Sequence, residues 1–118
     1  MADKVEPKKN KVLSAEDILA AQDQTTKTVN VPEWGGDVIV KTMTGEEAAT
    51  LADVKGTAAG ITTIVSICCV NEKGERIFTP EDVVRLAKKS FRALQRVQEV
   101  ALEINGLKDV VQALLRKV

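Results

Sequence analysis

Few side chains in this sequence could take part in catalysis. The chain has no histidine and no tyrosine, so the commonest general base, the Ser/His and Cys/His nucleophile pairs and most zinc and haem ligand sets are missing. The most reactive candidates are the adjacent thiols Cys68 and Cys69 in the apolar run ITTIVSICCV. Neither neighbour, Ile67 or Val70, is a cation that would lower a thiol pKa. We therefore interpret both cysteines as buried, reduced thiols that pack like small hydrophobic residues.

Acidic side chains occur in pairs at two places, Glu46 with Glu47 and Glu81 with Asp82. Each pair follows a Thr in a helix-start pattern, TGEE or TPED, where acids cap the helix and meet the positive end of its dipole. Capping explains these carboxylates better than acid/base catalysis or metal binding does. We predict that the chain is not an enzyme and has no catalytic, cofactor-binding or metal-binding residues, and hence no cofactor.

The charge balance argues against nucleic acid and membranes as partners. Lys plus Arg and Asp plus Glu both number 17, so no net positive field draws the chain to phosphates. We interpret the basic cluster Lys88, Lys89, Arg92 and Arg96 as a solvated helix face. No apolar run approaches the roughly 20 residues that span a bilayer, and the N-terminus lacks a secretory signal. We expect a soluble protein that stays in the cytoplasm.

Alternating residues predict a β-hairpin at residues 27–43, with the turn sequence PEWGG at its centre. Trp34, the only tryptophan, lies in that turn. It could be a structural anchor that folds back on the hairpin, or a residue that binds a partner. Both interpretations stay open at this point.

Capping patterns predict the helices. Ser14 begins a short helix, Thr44 begins a second with a capping box, and Thr79 begins one long amphipathic helix that ends at Asn105-Gly106. Residues 58–70 fit either state, because their spacing is helical while their β-branched content favours a strand; we favour a buried helix. A last helix is predicted after Leu107, with one apolar face.

These elements predict an α+β, mainly α, fold. At 118 residues and 12.8 kDa the chain suits a single small domain with one β-hairpin near the N-terminus, followed by a helical C-terminal half. We assign residues 1–13 to a flexible N-terminal tail and residues 14–118 to the domain.

The order and spacing of these motifs resemble those of the tail assembly chaperones of long-tailed bacteriophages. The likeness covers roughly residues 14–107. It rests on VNVPEWGGDVIV at 29–40, TGEE at 44–47, the apolar segment 58–70, NEKGERIFT at 71–79, PED at 80–82 and NGL at 105–107.

The resemblance implies a non-enzymatic role in the cytoplasm of the bacterial host. Such proteins bind the long, largely helical tape measure protein, keep it soluble and promote polymerisation of the tail tube protein around it. The tape measure protein is therefore the expected partner, with the tail tube protein as a second. The alternative is a head-tail connector or minor tail structural protein. An enzyme or nucleic-acid-binding regulator is suggested only by the basic cluster and the two cysteines.

The C-terminal half is predicted to mediate contacts with partners. The long helix and residues 108–118 together offer more apolar surface than a small domain with few aromatic residues would cover, and exposed apolar stripes mark interfaces. We predict a homo-oligomer, and we name Trp34, Val111, Leu114 and Leu115 as partner-binding residues. The opposing possibility is that the terminal helix packs on its own domain and leaves a monomer.

Overall fold

The computed structural model describes residues 11–53 and 57–107. The predicted terminal helix, with Val111, Leu114 and Leu115, lies outside the described residues, as does most of the predicted N-terminal tail. The elements in chain order are α1 (Ala15–Ala20), β1 (Thr26–Val31), a 3₁₀ turn (Pro32–Trp34), β2 (Gly36–Lys41), α2 (Gly45–Ala52), α3 (Thr57–Cys68), β3 (Cys69–Val70), α4 (Asp82–Leu86) and α5 (Phe91–Ile104). The predicted α+β, mainly helical fold is confirmed.

The predicted hairpin forms the first two strands of an antiparallel sheet. Val29 pairs with Val38 and Val31 with Gly36, and Gly35 completes the turn with a φ of 77°, a left-handed conformation that glycine adopts without strain. The two-residue strand β3 lies beside β2, with Cys69 opposite Val40. This third strand was not predicted, because two residues are too few to show alternation.

The core lies where α3 and α5 pack together and α5 covers the sheet. Within the described residues, the largest fully buried side chains are aliphatic or thiol groups: Val31, Val40, Val65, Val97, Cys68 and Cys69. Ala93 and Ala101 are also fully buried, and small residues at such positions let a helix approach its neighbours closely. The fully buried part of the described core is therefore built from small side chains. Because it has no large side chain to compensate, the loss of any one valine should lower the stability.

The buried helix favoured for residues 58–70 is confirmed over most of its length by α3. Its last two residues, Cys69 and Val70, instead form β3. Nearly every described side chain from Ile61 to Cys68 is buried, because α3 is covered by α2, α4 and α5. A helix covered on several sides shows no clear polar face, and this explains why its sequence is ambiguous.

The prediction of one long helix from Thr79 to Asn105 is wrong, because two helices separated by residues 87–90 stand in its place. Ser90 leaves the helical path with a ψ of 129°, and its hydroxyl accepts a hydrogen bond from the Ala93 N–H at 3.3 Å. The first helix, α4, begins at Asp82 and not directly after Thr79. Thr79 instead belongs to a turn in which the Asp82 carboxylate accepts from the Thr79 N–H at 2.8 Å and from the Thr79 hydroxyl at 3.1 Å. The serine cap makes a second helix start where the apolar periodicity suggested continuity.

We expect Ser90→Ala to lower the free energy of unfolding by about 1 kcal/mol, because the substitution removes the cap of the best-packed helix. Ser14→Ala is the matched control. Ser14 caps α1 in the same way, accepting from the Asp17 N–H at 3.1 Å, but α1 buries none of its residues. Urea denaturation at low protein concentration measures both. Equal losses from the two substitutions would contradict the distinction between a packed and an unpacked helix.

The predicted helix stop at Asn105-Gly106 is confirmed. Gly106 has a φ of 72°, and the Leu107 N–H donates to the Leu102 carbonyl at 2.8 Å, which is the wrapped C-cap that a left-handed glycine permits. The Asn105 side chain adds a contact that sequence does not show. Its Oδ1 accepts from the Met43 N–H at 2.7 Å and its Nδ2 donates to the Ala101 carbonyl at 2.8 Å. The end of α5 is thereby fixed to the end of the hairpin.

Candidate partner-binding site

Two adjoining clefts form one surface groove between the hairpin turn and α4, and they share Phe78, Leu86 and Lys89. Trp34 closes one side, while the other side continues to Ile77, Asp82 and Arg85. We call this surface the apolar groove; its residues are Trp34, Ile77, Phe78, Asp82, Arg85, Leu86 and Lys89. Two of the three aromatic residues in the chain line it.

Trp34 is held in place by the local structure of the turn. The Gly35 N–H donates to the Val31 carbonyl at 3.1 Å and to the Pro32 carbonyl at 3.0 Å. Next to the tryptophan, the Glu33 carboxylate binds the Arg96 guanidinium through both oxygens, at 2.9 Å and 3.2 Å. This two-point contact fixes the turn to α5. The hydrogen bond from Arg96 holds the pKa of the Glu33 carboxyl below its usual value.

The basic residues do not form the single solvated helix face that we predicted. Lys88 and Lys89 lie in the turn between α4 and α5, while Arg92 and Arg96 lie on α5. Arg96 is engaged by Glu33, and Lys89 lines the groove. The reason is the break between α4 and α5, because it places Lys88 and Lys89 outside the single helix that was predicted to carry all four residues.

Trp34 is half-buried and packs against the core, as a structural anchor would. It also lines the apolar groove, so part of its ring remains available to a partner. Its partner-binding role therefore stays a prediction. Val111, Leu114 and Leu115 fall outside the described residues, and their predicted role is unchanged.

Sequence reasoning missed the other apolar residues of the groove, namely Ile77, Phe78 and Leu86. Ile77 is 49% exposed, although Arg76 just before it forms an isolated β-bridge with Val70, whereas Leu86 is buried and forms the floor. The consecutive apolar pair Ile77-Phe78 after the NEKG turn was the available signal, since two adjacent large apolar residues in a short extended segment place one side chain on each face. Only the tertiary structure shows that Phe78 lines the same cleft as Trp34, 44 positions earlier in sequence.

The rim of the groove carries more positive than negative charge. Arg85 and Lys89 line it, as does one acid, Asp82. Asp82 lies 3.8 Å from Arg85, whose side chain is 85% exposed. Lys88 and Arg92, both exposed, lie close by in sequence. A partner with an apolar stripe and acidic flanks would therefore match this surface best.

A separate, polar cleft lies around Glu47. Its other lining residues are Thr44, Glu46, Thr50 and Arg76. The Glu47 carboxylate bonds to the Lys41 ammonium, to Arg76 Nη2 at 3.1 Å and to the Thr44 N–H at 2.9 Å. Burial raises the pKa of Glu47, but the hydrogen bonds from Lys41 and Thr44 outweigh it and hold the pKa below its usual value. This carboxylate joins β2, α2 and the segment after β3, which is a structural role.

The predicted capping role of the acids is confirmed at Glu47, where both reciprocal bonds of a capping box form. Asp17, which was not among the acids predicted to cap, forms the same pair of bonds with Ser14. In residues 11–53 and 57–107 there is no group of three or more acidic or cysteine side chains that could hold a metal ion. None of the helices in that part of the chain is long and apolar enough to cross a membrane.

Cys68 and Cys69 are fully buried, unpaired thiols, as predicted. Burial raises the pKa of Cys68 to about 11 and that of Cys69 to about 12. Both thiols therefore remain protonated at neutral pH, and a protonated, inaccessible thiol is a poor nucleophile. Their contribution is to the packing of the hydrophobic core, to which both belong.

The chain has the fold of a phage tail assembly chaperone, as the resemblance implied. One solved structure that matches is that of the bacteriophage HK97 tail assembly chaperone, which aligns with a TM-score of 0.61 over 75% of this chain and 89% of that chain. The two sequences are 18% identical over the match, so the similarity is one of fold. No protein-family model and no curated protein matches the sequence.

Proposed function

We propose that this protein is a phage tail assembly chaperone that binds the tape measure protein in the cytoplasm of the bacterial host. It keeps that client soluble and promotes polymerisation of the tail tube protein around it. The observation that carries the proposal is the fold shared with the HK97 tail assembly chaperone over three quarters of the chain. The lack of an activated nucleophile among the described residues agrees with a binding role.

The apolar groove gives this function a physical basis. A long helical client in solution exposes an apolar stripe, and one turn of such a helix can be covered by a groove with aromatic walls. Trp34 and Phe78 supply large, rigid contact surfaces, and Arg85 and Lys89 supply charge at the rim. The C-terminal residues Val111, Leu114 and Leu115 would extend the contact along the client.

Co-expression with the tape measure protein of the same genome tests the proposal. We expect this chain to raise the soluble fraction of the client several-fold, and Ile77→Asp to abolish most of that gain, because a charge would enter the groove. Val84→Asp is the matched control, since Val84 is 67% exposed and lies outside the groove. A client whose solubility is the same with and without this chain would contradict the proposal.

Mass spectrometry of purified particles separates this function from a structural one. A chaperone leaves the finished tail and should be absent from the particle. Recovery of this chain at a fixed number of copies per particle would instead indicate a connector or minor tail component.

A further inference from the structure

A second apolar surface lies at the beginning of the described chain. Val12, Leu13, Ile18 and Leu19 are between 56% and 93% exposed, and they are four of the seven large hydrophobic side chains exposed in the described residues. The helix α1 that carries two of them buries none of its residues. We call residues 12–20 the α1 segment. Single exposed apolar side chains are ordinary, but four within eight positions mark a contact surface.

The α1 segment is already organised for binding. The Asp17 N–H donates to the Ser14 hydroxyl at 3.1 Å, and the Ser14 N–H donates to the Asp17 carboxylate at 3.0 Å. Leu13 and Ile18 occupy the two positions, before the cap and one turn after it, that form a hydrophobic staple. A helix of six residues is marginal in water by itself. A surface that covers its apolar side would stabilise it, and its caps reduce the entropy lost on binding.

The apolar groove complements this segment in size and in charge. Six helical residues extend about 9 Å, a length close to that of α4, the five-residue helix that contributes Asp82, Arg85 and Leu86 to the groove. The first turn of α1 carries Glu16 and Asp17, and the groove rim carries Arg85 and Lys89. Apolar side chains flanked by acids thus meet an apolar floor flanked by cations.

The connection to β1 favours a groove on another molecule. The Thr42 N–H donates to the Thr25 carbonyl at 3.0 Å and the Thr42 hydroxyl to Gln24 at 2.9 Å, so the chain is tied to the open end of the hairpin from Gln24 onward. From Ala20 to Gln24 it can reach about 14 Å at most. Trp34 lies at the opposite end of the hairpin, about 20 Å along β1. The α1 segment would have to run back along the strand in full extension to reach its own tryptophan.

We propose that the α1 segment of one copy docks in the apolar groove of a second copy. Ile18 and Leu19 pack against Trp34 and Phe78, and the acids of the first turn face Arg85 and Lys89. The contact covers both apolar surfaces while no client is bound. It requires no client and holds whether or not the chain acts in tail assembly, so it can fail without affecting the proposed function.

Two variants remove the two sides of the contact. The double substitution Ile18→Asp with Leu19→Asp alters only exposed side chains of α1, and Lys89→Glu with Arg85→Glu reverses the charge of the groove rim. We expect light scattering to show an oligomer for the wild-type chain and a mass near 12.8 kDa for each variant. Mixing the two variants brings the intact α1 segment of the rim variant to the intact groove of the I18D/L19D chain, so the mixture should form a one-to-one complex although each variant alone is a monomer. A third variant, Glu16→Lys with Asp17→Lys, should associate with the reversed rim.

Trp34 fluorescence reports on the groove directly, since it is the only tryptophan. A peptide of residues 11–21, added to the I18D/L19D chain, should change that fluorescence in a saturable manner. The same peptide with Asp at both positions is the control and should have no effect. The control also separates a specific contact from adhesion of any short peptide.

Three outcomes would overturn the proposal. A wild-type chain that is monomeric, with Trp34 fluorescence altered by I18D/L19D, would show that α1 reaches the groove of its own chain. An oligomer that persists in I18D/L19D would show that other surfaces, such as the C-terminal segment, hold it together. An oligomer that dissociates in I18D/L19D while the peptide leaves Trp34 unaffected would place the α1 contact somewhere other than the groove.

Discussion

Glu47→Gln is expected to lower the free energy of unfolding at neutral pH by about 2 kcal/mol. The side chains of Lys41 and Glu47 are only 14% and 17% exposed, so the substitution leaves a cation largely removed from water without its counter-charge. Gln keeps the length of the side chain and can still accept from the Thr44 N–H. The loss therefore measures the charge and not the helix cap.

The same substitution should remove part of the acid sensitivity of the fold. The pKa of Glu47 in the folded chain lies below its usual 4.5, so the unfolded chain binds the proton more readily. The stabilisation is fully present above pH 4.5 and is lost as the pH falls through the folded pKa. The difference between wild type and Glu47→Gln should therefore begin to shrink as the pH falls below 4.5 and should vanish below the folded pKa. Urea denaturation over a range of pH measures it.

Glu103→Gln is the matched control for that experiment. Glu103 also pairs with a lysine, Lys27, at 3.4 Å, but both side chains are 53% exposed. Exposed pairs of this kind contribute about 0.5 kcal/mol or less. A loss at Glu47 as small as the loss at Glu103 would contradict the structural role of the Lys41–Glu47–Arg76 cluster.

Sequence predicted the parts of this fold that local interactions decide. The cap at Ser14, the capping box at Thr44 and the stop at Gly106 each involve residues within six positions, and all three form. The hairpin was also predictable, because side-chain alternation and turn chemistry agree over its length. Where a short-range hydrogen bond satisfies a backbone group, the residues needed for it are adjacent in the sequence.

The break between α4 and α5 shows where the periodicity of apolar residues is insufficient. Leu86 and Leu94 are both buried and eight positions apart, a spacing that a continuous helix would also bring to one face. A short turn that returns the chain to the same core leaves that pattern nearly intact. Ser90 was available as a capping residue, but its position within an apolar repeat made it look like part of the helix.

The candidate site depends on contacts that no local pattern contains. Trp34 was chosen for its residue type, yet its position depends on the bond between Glu33 and Arg96, 63 residues apart. Phe78 joins it only because β3 pairs with β2 and directs the following segment toward α4. Long-range pairing decides which exposed apolar residues become neighbours, so the groove could be found only in three dimensions.

Val65→Asp is expected to prevent stable folding. Val65 is fully buried near the middle of α3, the helix that contacts α5, α4 and α2. An unpaired carboxylate there would cost more than about 4 kcal/mol, which approaches the whole stability of a small domain, about 5–15 kcal/mol. The largest fully buried side chains of the described residues are valines and cysteines. None of them is a cation that could pair with the new carboxylate. Circular dichroism and a thermal melt would show loss of the cooperative transition.

Two further substitutions make the result specific to the helix Thr57–Cys68. Val84→Asp inserts the same charge at a site that is 67% exposed and should change the stability by about 0.5 kcal/mol or less. Thr63→Asp separates helix from strand. In α3, Thr63 is only partly buried, because a rotation of 200° over two helical residues takes it away from the face of Val65; in a strand, the two would share a face. Thr63→Asp should therefore leave a measurable folding transition, and damage equal to that of Val65→Asp would indicate an alternating strand instead of a helix.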